Sequence, residues 1–410
     1  MSPAIIVDGK DINNESIEIF LDEKIAGISN IERLIINLQN EGFKKAYIVA
    51  NKNLEIKLKK IRKPIELKLI THKDLSNLKE DILLFQSNVV LNKKQLSDIV
   101  ELTSNSNDSY SFKNQNEYIG VSYVKKDLIM NIFIDNRLNK KLILNIDSFN
   151  LKDPPLLLSK SQIGTKIGRD FLFSHISKNV SGWVSKNINS KISIPVSKLL
   201  IRTNLHPNTI TLFVGCLGIS CGFLYANNNA LLGALILQLS TILDRCDGEV
   251  ARIKLQESKF GQWFDTALDQ LSYFSMFIGI AICLNNPNYF PLTNINIIIK
   301  QFSIINVLLY IIFITTVLFF MIRRTSNGSL AYYPGEVDKR VPLNERSFLY
   351  RLISKYRFVL KREFFSPAMI FGSLLGYKFL AITALILFIF GLYHQVSDYI
   401  ALRERTDITY

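Results

Sequence analysis

The sequence predicts two unlike parts: an N-terminal soluble α/β domain, followed by an all-α bundle of six transmembrane helices. Three observations predict this. Roughly the first 160 residues are rich in Lys and Asn and mixed in pattern, whereas from about residue 208 long apolar runs alternate with short polar loops. Near the N-terminus, helical apolar spacing alternates with short apolar runs, the rhythm of a partly parallel sheet. Basic residues crowd one set of ends of the long apolar runs, as they do beside membrane spans. The mildly positive mean hydropathy averages over these two halves. The expected organisation is a cytoplasmic α/β domain over 1–160, a connector with an interfacial helix over 161–205, a membrane domain over 206–400 and a cytoplasmic tail over 401–410.

In the first domain, Ile31–Asn40 (IERLIINLQN) has helical apolar spacing, and Gly42 follows as a C-terminal stop. Ala46–Ala50 (AYIVA) reads as a buried strand. A helix-like stretch from Leu78 leads into Ile82–Phe85 (ILLF) and Val89–Leu91 (VVL). The Ser- and Asn-rich stretch Ser104–Asn116 reads as a loop. The first residues lack a basic start and a long apolar core, so no secretory signal is read there and the first domain is expected in the cytoplasm.

Pro154 and Pro155 break the chain ahead of the connector. Within it Ile192–Leu205 (ISIPVSKLLIRTNL) mixes apolar residues with Lys198 and Arg202, the pattern of a helix lying along a membrane surface. Six candidate spans follow, at about 20 residues each: 209–226, 230–254, 261–284, 297–322, 364–377 and 378–399. Lys191, Lys198 and Arg202 precede the first, while Arg252, Lys254 and Lys259 separate the second from the third. A long basic loop, Arg323–Arg362, follows the fourth, and Arg403 and Arg405 follow the last. The opposite loops, Asn227–Asn229 and Asn285–Asn296, carry no charge. A multi-pass protein of the cell or inner membrane, with both termini and the basic loops cytoplasmic, is expected.

The net charge of +14 is accounted for by these flanking residues. No zinc finger, base-reading helix or aromatic RNA-binding strand accompanies it, so nucleic acid is not an expected partner. The cysteines Cys216, Cys221, Cys246 and Cys283 lie in or beside apolar runs without a CxxC pair, which argues against a disulfide framework or zinc site.

The chemistry lies in DRCDGEVARIKLQESKFGQWFDTALD, residues 244–269. On a helix Asp244 and Asp247 share a face, with Gly248 and Ala251 continuing it; Asp265 and Asp269 share a face of the next helix. A basic, polar turn between them lets the two acidic faces oppose each other. Carboxylates at the end of a membrane bundle are costly, at about 2.5–3.5 kcal/mol each at the bilayer centre. Such a cluster persists where cations neutralise it, and an all-oxygen donor set points to Mg²⁺ or Mn²⁺, two ions of which clamp a diphosphate. Gly248 and Gly261 leave room for a ligand near the backbone. An alternative from another class is a cation transporter using the same cluster, against which no pair of broken helices appears in the two halves.

The spacing Asp244-x2-Asp247-Gly248-x2-Ala251-Arg252-x8-Gly261-x3-Asp265-x3-Asp269 resembles the signature of the CDP-alcohol phosphotransferases, at eight fixed positions without a gap. The resemblance covers about residues 190–400. It implies a six-helix membrane enzyme of phospholipid synthesis. Such an enzyme moves a phospho-alcohol group from a CDP-alcohol to an acceptor hydroxyl and releases CMP. By the resemblance, Asp244, Asp247, Asp265 and Asp269 hold two Mg²⁺ or Mn²⁺ ions, and Asp269 is also the catalytic base. Asp247, Gly248, Ala251, Arg252 and Gly261 bind the CDP-alcohol. Asn208, within His206–Thr211 (HPNTIT), matches the family's Pro-Asn-x-x-Thr entry to the first span. A homodimer is expected on the same ground.

Residues 20–50 resemble the start of a nucleotidyltransferase: KIAG at 24–27, IERL at 31–34 and GFKKAYIV at 42–49 follow that family's order of loop, helix and strand. The Gly-rich phosphate loop with its Arg is absent, and Gln86 stands where such enzymes carry a metal-binding Asp. The expectation is a catalytically inactive nucleotidyltransferase-like module. Its fusion to the membrane domain resembles the inositol-phosphate branch of the larger family. The acceptor is thus expected to be an inositol phosphate or a lipid alcohol.

Overall fold

The computed structural model describes residues 3–7, 24–49, 66–70, 74, 78, 80–104, 106–115, 117–134, 137–138, 140–158, 166–178, 184–324, 337–338, 341–355 and 362–404. It divides into two compact units, Met1–Asn179 with Ile253–Leu255, and Val180–Arg252 with Gln256–Tyr410.

The first unit is built on a seven-stranded sheet. Its strands are β1 (Ala4–Val7), β2 (Lys45–Val49), β3 (Glu66–Ile70), β4 (Ile82–Gln86), β5 (Tyr110–Asn114), β6 (Glu117–Val124) and β7 (Asp147–Asn150), in the order β7-β5-β6-β4-β1-β2-β3. The β4-β1-β2-β3 half is parallel, with Ile5 opposite Tyr47 and Leu84, and β6 runs antiparallel to β4 and β5. The sheet is therefore partly parallel, as the strand-helix-strand rhythm implies. Ile5, Val49, Ile82, Leu84 and Val124 fill its core with Ile129, Ile132 and Ile143.

Helix α1 (Asn30–Asn40) begins at Ser29, whose hydroxyl accepts from the Glu32 amide while the Glu32 carboxylate accepts from the Ser29 amide, a reciprocal cap. It ends at Glu41, and Gly42 takes the left-handed conformation (φ +91°) that stops a helix. Helix α2 (Lys93–Ser104) was not visible as a helix in the sequence; only Gln95, Leu96, Ile99 and Thr103 turn inward. Ser104–Asn116 is not wholly a loop, because it contains β5. The stretch from Leu78 to Asp81 is not a helix: Leu78 and Asp81 lie in no regular element and Glu80 sits at a bend, with Lys79 outside the described residues. Among the described residues the unit also holds α3 (Lys126–Ile132), α4 (Lys140–Asn145) and α5 (Lys166–Lys178).

The second unit is helical. After a single π-turn, Ser185–Asn189, comes α6 (Ser190–Leu200), at the place of the expected interfacial helix. Its polar face is buried: Ser193 and Ser197 are inaccessible, whereas Ile192 and Leu199 are exposed. This inversion suits a helix with protein on one side and lipid on the other. Then follow α7 (Pro207–Ala226), α8 (Ala230–Ile253), α9 (Lys259–Asn285), α10 (Asn294–Arg324), α11 (Phe348–Lys355), α12 (Arg362–Leu375) and α13 (Tyr377–Glu404). Four of these, α7, α9, α10 and α13, are long and apolar enough to cross a membrane. Helix α8 is interrupted by charge and α12 is short. Gly376, at φ +91°, makes the break between α12 and α13.

Helices α7 and α9 meet along small residues. A Cβ added at Gly215 would lie 2.8 Å from Leu268 Cβ, and one at Gly279 would run into the Gly222 carbonyl. Their backbones approach closely, as packing in lipid favours. The core of the unit gathers Cys221, Tyr225, Leu237, Met276, Tyr310 and Leu380. Outward-facing Phe213, Phe223 and Phe371 are exposed, as lipid-facing side chains would be. The basic loop does not wholly face outward: Arg346 is buried, donating to Asp398 Oδ1 at 3.0 Å and to the Ser397 carbonyl at 2.9 Å. Lys339, Arg340, Arg357 and Lys361 lie outside the described residues.

Candidate active site

The joint between α8 and α9 carries the acidic residues. The chain leaves α8 through Leu255, a left-handed residue at φ +49°. Ser258 then opens α9, its hydroxyl accepting from the Gly261 amide at 3.0 Å. This short connection returns the chain antiparallel and brings the end of α8 opposite the start of α9.

Oxygens of Asp244, Asp265 and Asp269 all lie within 4.8 Å of one another, a spacing that one cation can bridge. Asp265 Oδ1 is buried without a hydrogen-bond partner. An unsatisfied buried carboxylate oxygen is costly unless a ligand meets it. Asp247 is not in this group. Its Oδ2 meets the Thr211 hydroxyl of α7, and its Oδ1 accepts from the Gly248 amide. The Thr211 hydroxyl also lies 3.1 Å from the Pro207 carbonyl, so its single proton serves one acceptor at a time. Asp244 and Asp247 therefore reach different partners despite their spacing of three.

The other expected residues fall nearby. Gly248 lies beside Arg252, whose guanidinium would be 3.5 Å from a Cβ at that glycine; Arg252 itself is exposed. Ala251 is half-buried one turn further along α8. Asn208 stands in the first turn of α7, its Oδ1 3.1 Å from where a Gly261 Cβ would lie. A side chain at either glycine would fill this space.

Arg362, the first residue of α12, was counted in the sequence only as part of the basic loop. Its Nη1 donates to Asp244 Oδ2 at 2.8 Å and to Asp269 Oδ1. Its Nη2 reaches Ser240 Oγ and its Nε reaches Thr241 Oγ1, both at 3.3 Å. Ser366, one turn on, donates to Gln238 Oε1 at 2.7 Å and fixes the start of α12 on α8. A second inward-facing pair lies on α8: Glu249, fully buried, accepts from the Ser193 hydroxyl at 2.8 Å and lies 3.6 Å from Arg245. No periodicity marks Arg362. Its basic charge at the edge of an apolar run is the only local signal.

The stretch that carries the acidic residues lies within a match to known proteins. The family described as CDP-alcohol phosphatidyltransferase matches residues 204–338. A bifunctional IPC transferase and DIPP synthase of Aquifex aeolicus is 36% identical over 103 residues, covering 25% of this chain and 24% of that protein. The Thermococcus kodakarensis protein of the same description is 40% identical over 89 residues, 22% of this chain and 20% of its own length. An archaetidylinositol phosphate synthase of Pyrococcus horikoshii is 31% identical over 87 residues, 21% of this chain and 46% of its own. The chain spans about a quarter of the length of the bifunctional relatives. The C-terminal half of the chain carries a CDP-alcohol phosphatidyltransferase domain.

Proposed function

We propose that the protein is an integral-membrane CDP-alcohol phosphotransferase. It transfers a phospho-alcohol group from a CDP-alcohol to a hydroxyl of an inositol phosphate and releases CMP. One observation carries the reading: the eight-position spacing brings Asp244, Asp265 and Asp269 to within one cation's reach at the joint of two helices. The acceptor class is supported by the relatives, among them an archaetidylinositol phosphate synthase and a phosphatidylinositol phosphate synthase of Streptomyces avermitilis.

The site fits divalent cations. Its donors are all carboxylate oxygens, the chemistry of Mg²⁺ or Mn²⁺, and the Asp265 oxygen lacks a partner. In this reading Asp244, Asp247, Asp265 and Asp269 hold two ions. When bound, these neutralise the diphosphate and the charge developing on CMP. Gly248, Ala251 and Gly261 leave space for the cytidine, Asn208 borders it, and Arg252 meets phosphate. Asp269 takes the proton from the acceptor hydroxyl. The freed oxygen attacks the β-phosphorus in line, a new P–O bond forms, and the bond to CMP breaks. Positioning and charge neutralisation supply most of the rate.

In the same reading, α8 and α12 complete a bundle of six spans, the termini and the site face the cytoplasm, and the enzyme is a homodimer. The first unit is a nucleotidyltransferase-like module without activity of its own, consistent with Gln86 at the end of β4. The test is CMP release by purified protein with Mg²⁺, a panel of CDP-alcohols and inositol phosphate. Wild type should release CMP with at least one donor, and Asp269→Asn should be slower by at least about 100-fold. Equal rates in the two proteins on every donor would refute the reading.

A further inference from the structure

The position of Arg362 carries an inference that rests on the metal-dependent reading above. Asp244, Asp247, Asp265 and Asp269 carry four negative charges when ionised, which two divalent cations would balance alone. Arg362 adds a positive charge in contact with two of these carboxylates. With one divalent ion the site then keeps one negative charge in excess. With two it has one positive charge in excess.

The guanidinium is not held by the carboxylates alone. Ser240 and Thr241 of α8 hold it from the other side, Ser366 anchors its helix turn to Gln238, and the side chain is only 14% exposed. Among the described residues, the neighbouring arginines of α8 leave this balance in place. Arg245 is engaged by buried Glu249 and by the hydroxyls of Ser185 and Ser193. Arg252 is exposed, so water and salt screen it.

We infer that Arg362 makes binding of the second cation depend on the donor's diphosphate: one ion is held by the resting site, and the second enters with the anion that offsets the excess charge. A unit charge in contact with the ligands, at an effective dielectric of about 20, changes the affinity for a divalent ion by at least about 100-fold.

The experiment is a Mn²⁺ titration of the purified full chain followed by electron paramagnetic resonance, with and without CDP. Wild type is expected to bind about one ion tightly alone and about two with CDP, the second at least about 100-fold tighter than without it. Arg362→Gln is expected to bind about two without CDP. Arg362→Lys keeps the charge and should behave as wild type, which separates charge from geometry. Two tight ions in wild type without CDP would overturn the inference and leave the phosphotransferase reading standing, as would an Arg362→Gln protein that still needs CDP. Absence of Mn²⁺ binding to wild type in both conditions would overturn both. If Arg362→Gln does not fold, judged by its elution and melting, the effect of CDP on wild type and on Arg362→Lys decides the matter.

Discussion

Asp265→Asn separates the cost of the cation site from its use. Asp265 Oδ1 is buried and unpartnered, and its carboxylate lies within 4.8 Å of those of Asp244 and Asp269. Two unit charges at that separation repel by about 3.5 kcal/mol at an effective dielectric of about 20. Arg362 pairs with both neighbours and offsets much of this, so removing the charge is worth about 1–3 kcal/mol to the metal-free protein. At about 2–4 °C per kcal/mol, Asp265→Asn should melt about 2–12 °C higher than wild type in EDTA. Mg²⁺ at a hundred times its Kd would stabilise wild type by about 2.7 kcal/mol, and most of that gain should vanish in the variant. CMP release should fall by at least about 100-fold. The assay is thermal melting in detergent, with and without Mg²⁺, beside CMP release. An Asp265→Asn protein that melts below wild type in EDTA, or that gains as much from Mg²⁺, would refute the argument that this carboxylate is destabilising and held for a cation.

Two further outcomes test the fold of each unit. Gly279→Ala places a methyl group against the Gly222 carbonyl, where backbone must move, so the α7–α9 contact should weaken by about 1–3 kcal/mol and the melting point in detergent should drop by several degrees. In the first unit, Asp81 is partly desolvated, which alone would raise its pKa. Hydrogen bonds from the Lys126 amide, Lys125 and the Tyr123 hydroxyl outweigh this and hold the carboxyl below its ordinary range. A depressed folded-state pKa contributes stability above the unfolded value, about 3.9, that is lost as pH falls through the folded one. Asp81→Asn should therefore speed hydrogen exchange of β4 near pH 7, and the difference from wild type should close as the solution is acidified below about pH 4.

Local signals were legible where the physics is local. Apolar spacing and Gly42 mark α1, although its Ser29–Glu32 cap went unread, and spans such as α7 and α10 announce themselves by apolar length. The acidic residues were legible because their spacing recurs with the helical period. Strand β5 was hidden because its inward positions include Ser111, which faces Ser122 across the ladder with both buried. That small polar pair removes the apolar alternation by which a strand is recognised. Helix α2 presents only Leu96 and Ile99 as apolar anchors. Arg362 could not be singled out at all. Its role is conferred by Ser240, Thr241 and Asp244, more than a hundred positions earlier, and its neighbours in sequence, Lys361 and Glu363, do not set it apart from the rest of the charged loop.

Hydropathy and chemistry conflict in α8, and the conflict places the site in depth. From Ala230 to Asp244 the helix rises roughly 21 Å, and from Asp269 to Asn285 along α9 roughly 24 Å, at about 1.5 Å per residue. A hydrocarbon core is about 30 Å thick. If both helices start from the same uncharged face, the aspartates stop several ångströms short of the other face, inside the depth of the bilayer. Ionised groups persist there only where water, partner charges or cations reach them. Arg362 supplies a partner charge, and Arg245 and Glu249 pair with each other one turn along α8. The exposed oxygens of the cluster then require an opening to the basic side. On the proposed function, a phosphorylated, water-soluble acceptor would reach this depth from the basic face. The same charges that stop α8 from reading as an apolar span thus hold the acidic cluster within the depth of the bilayer.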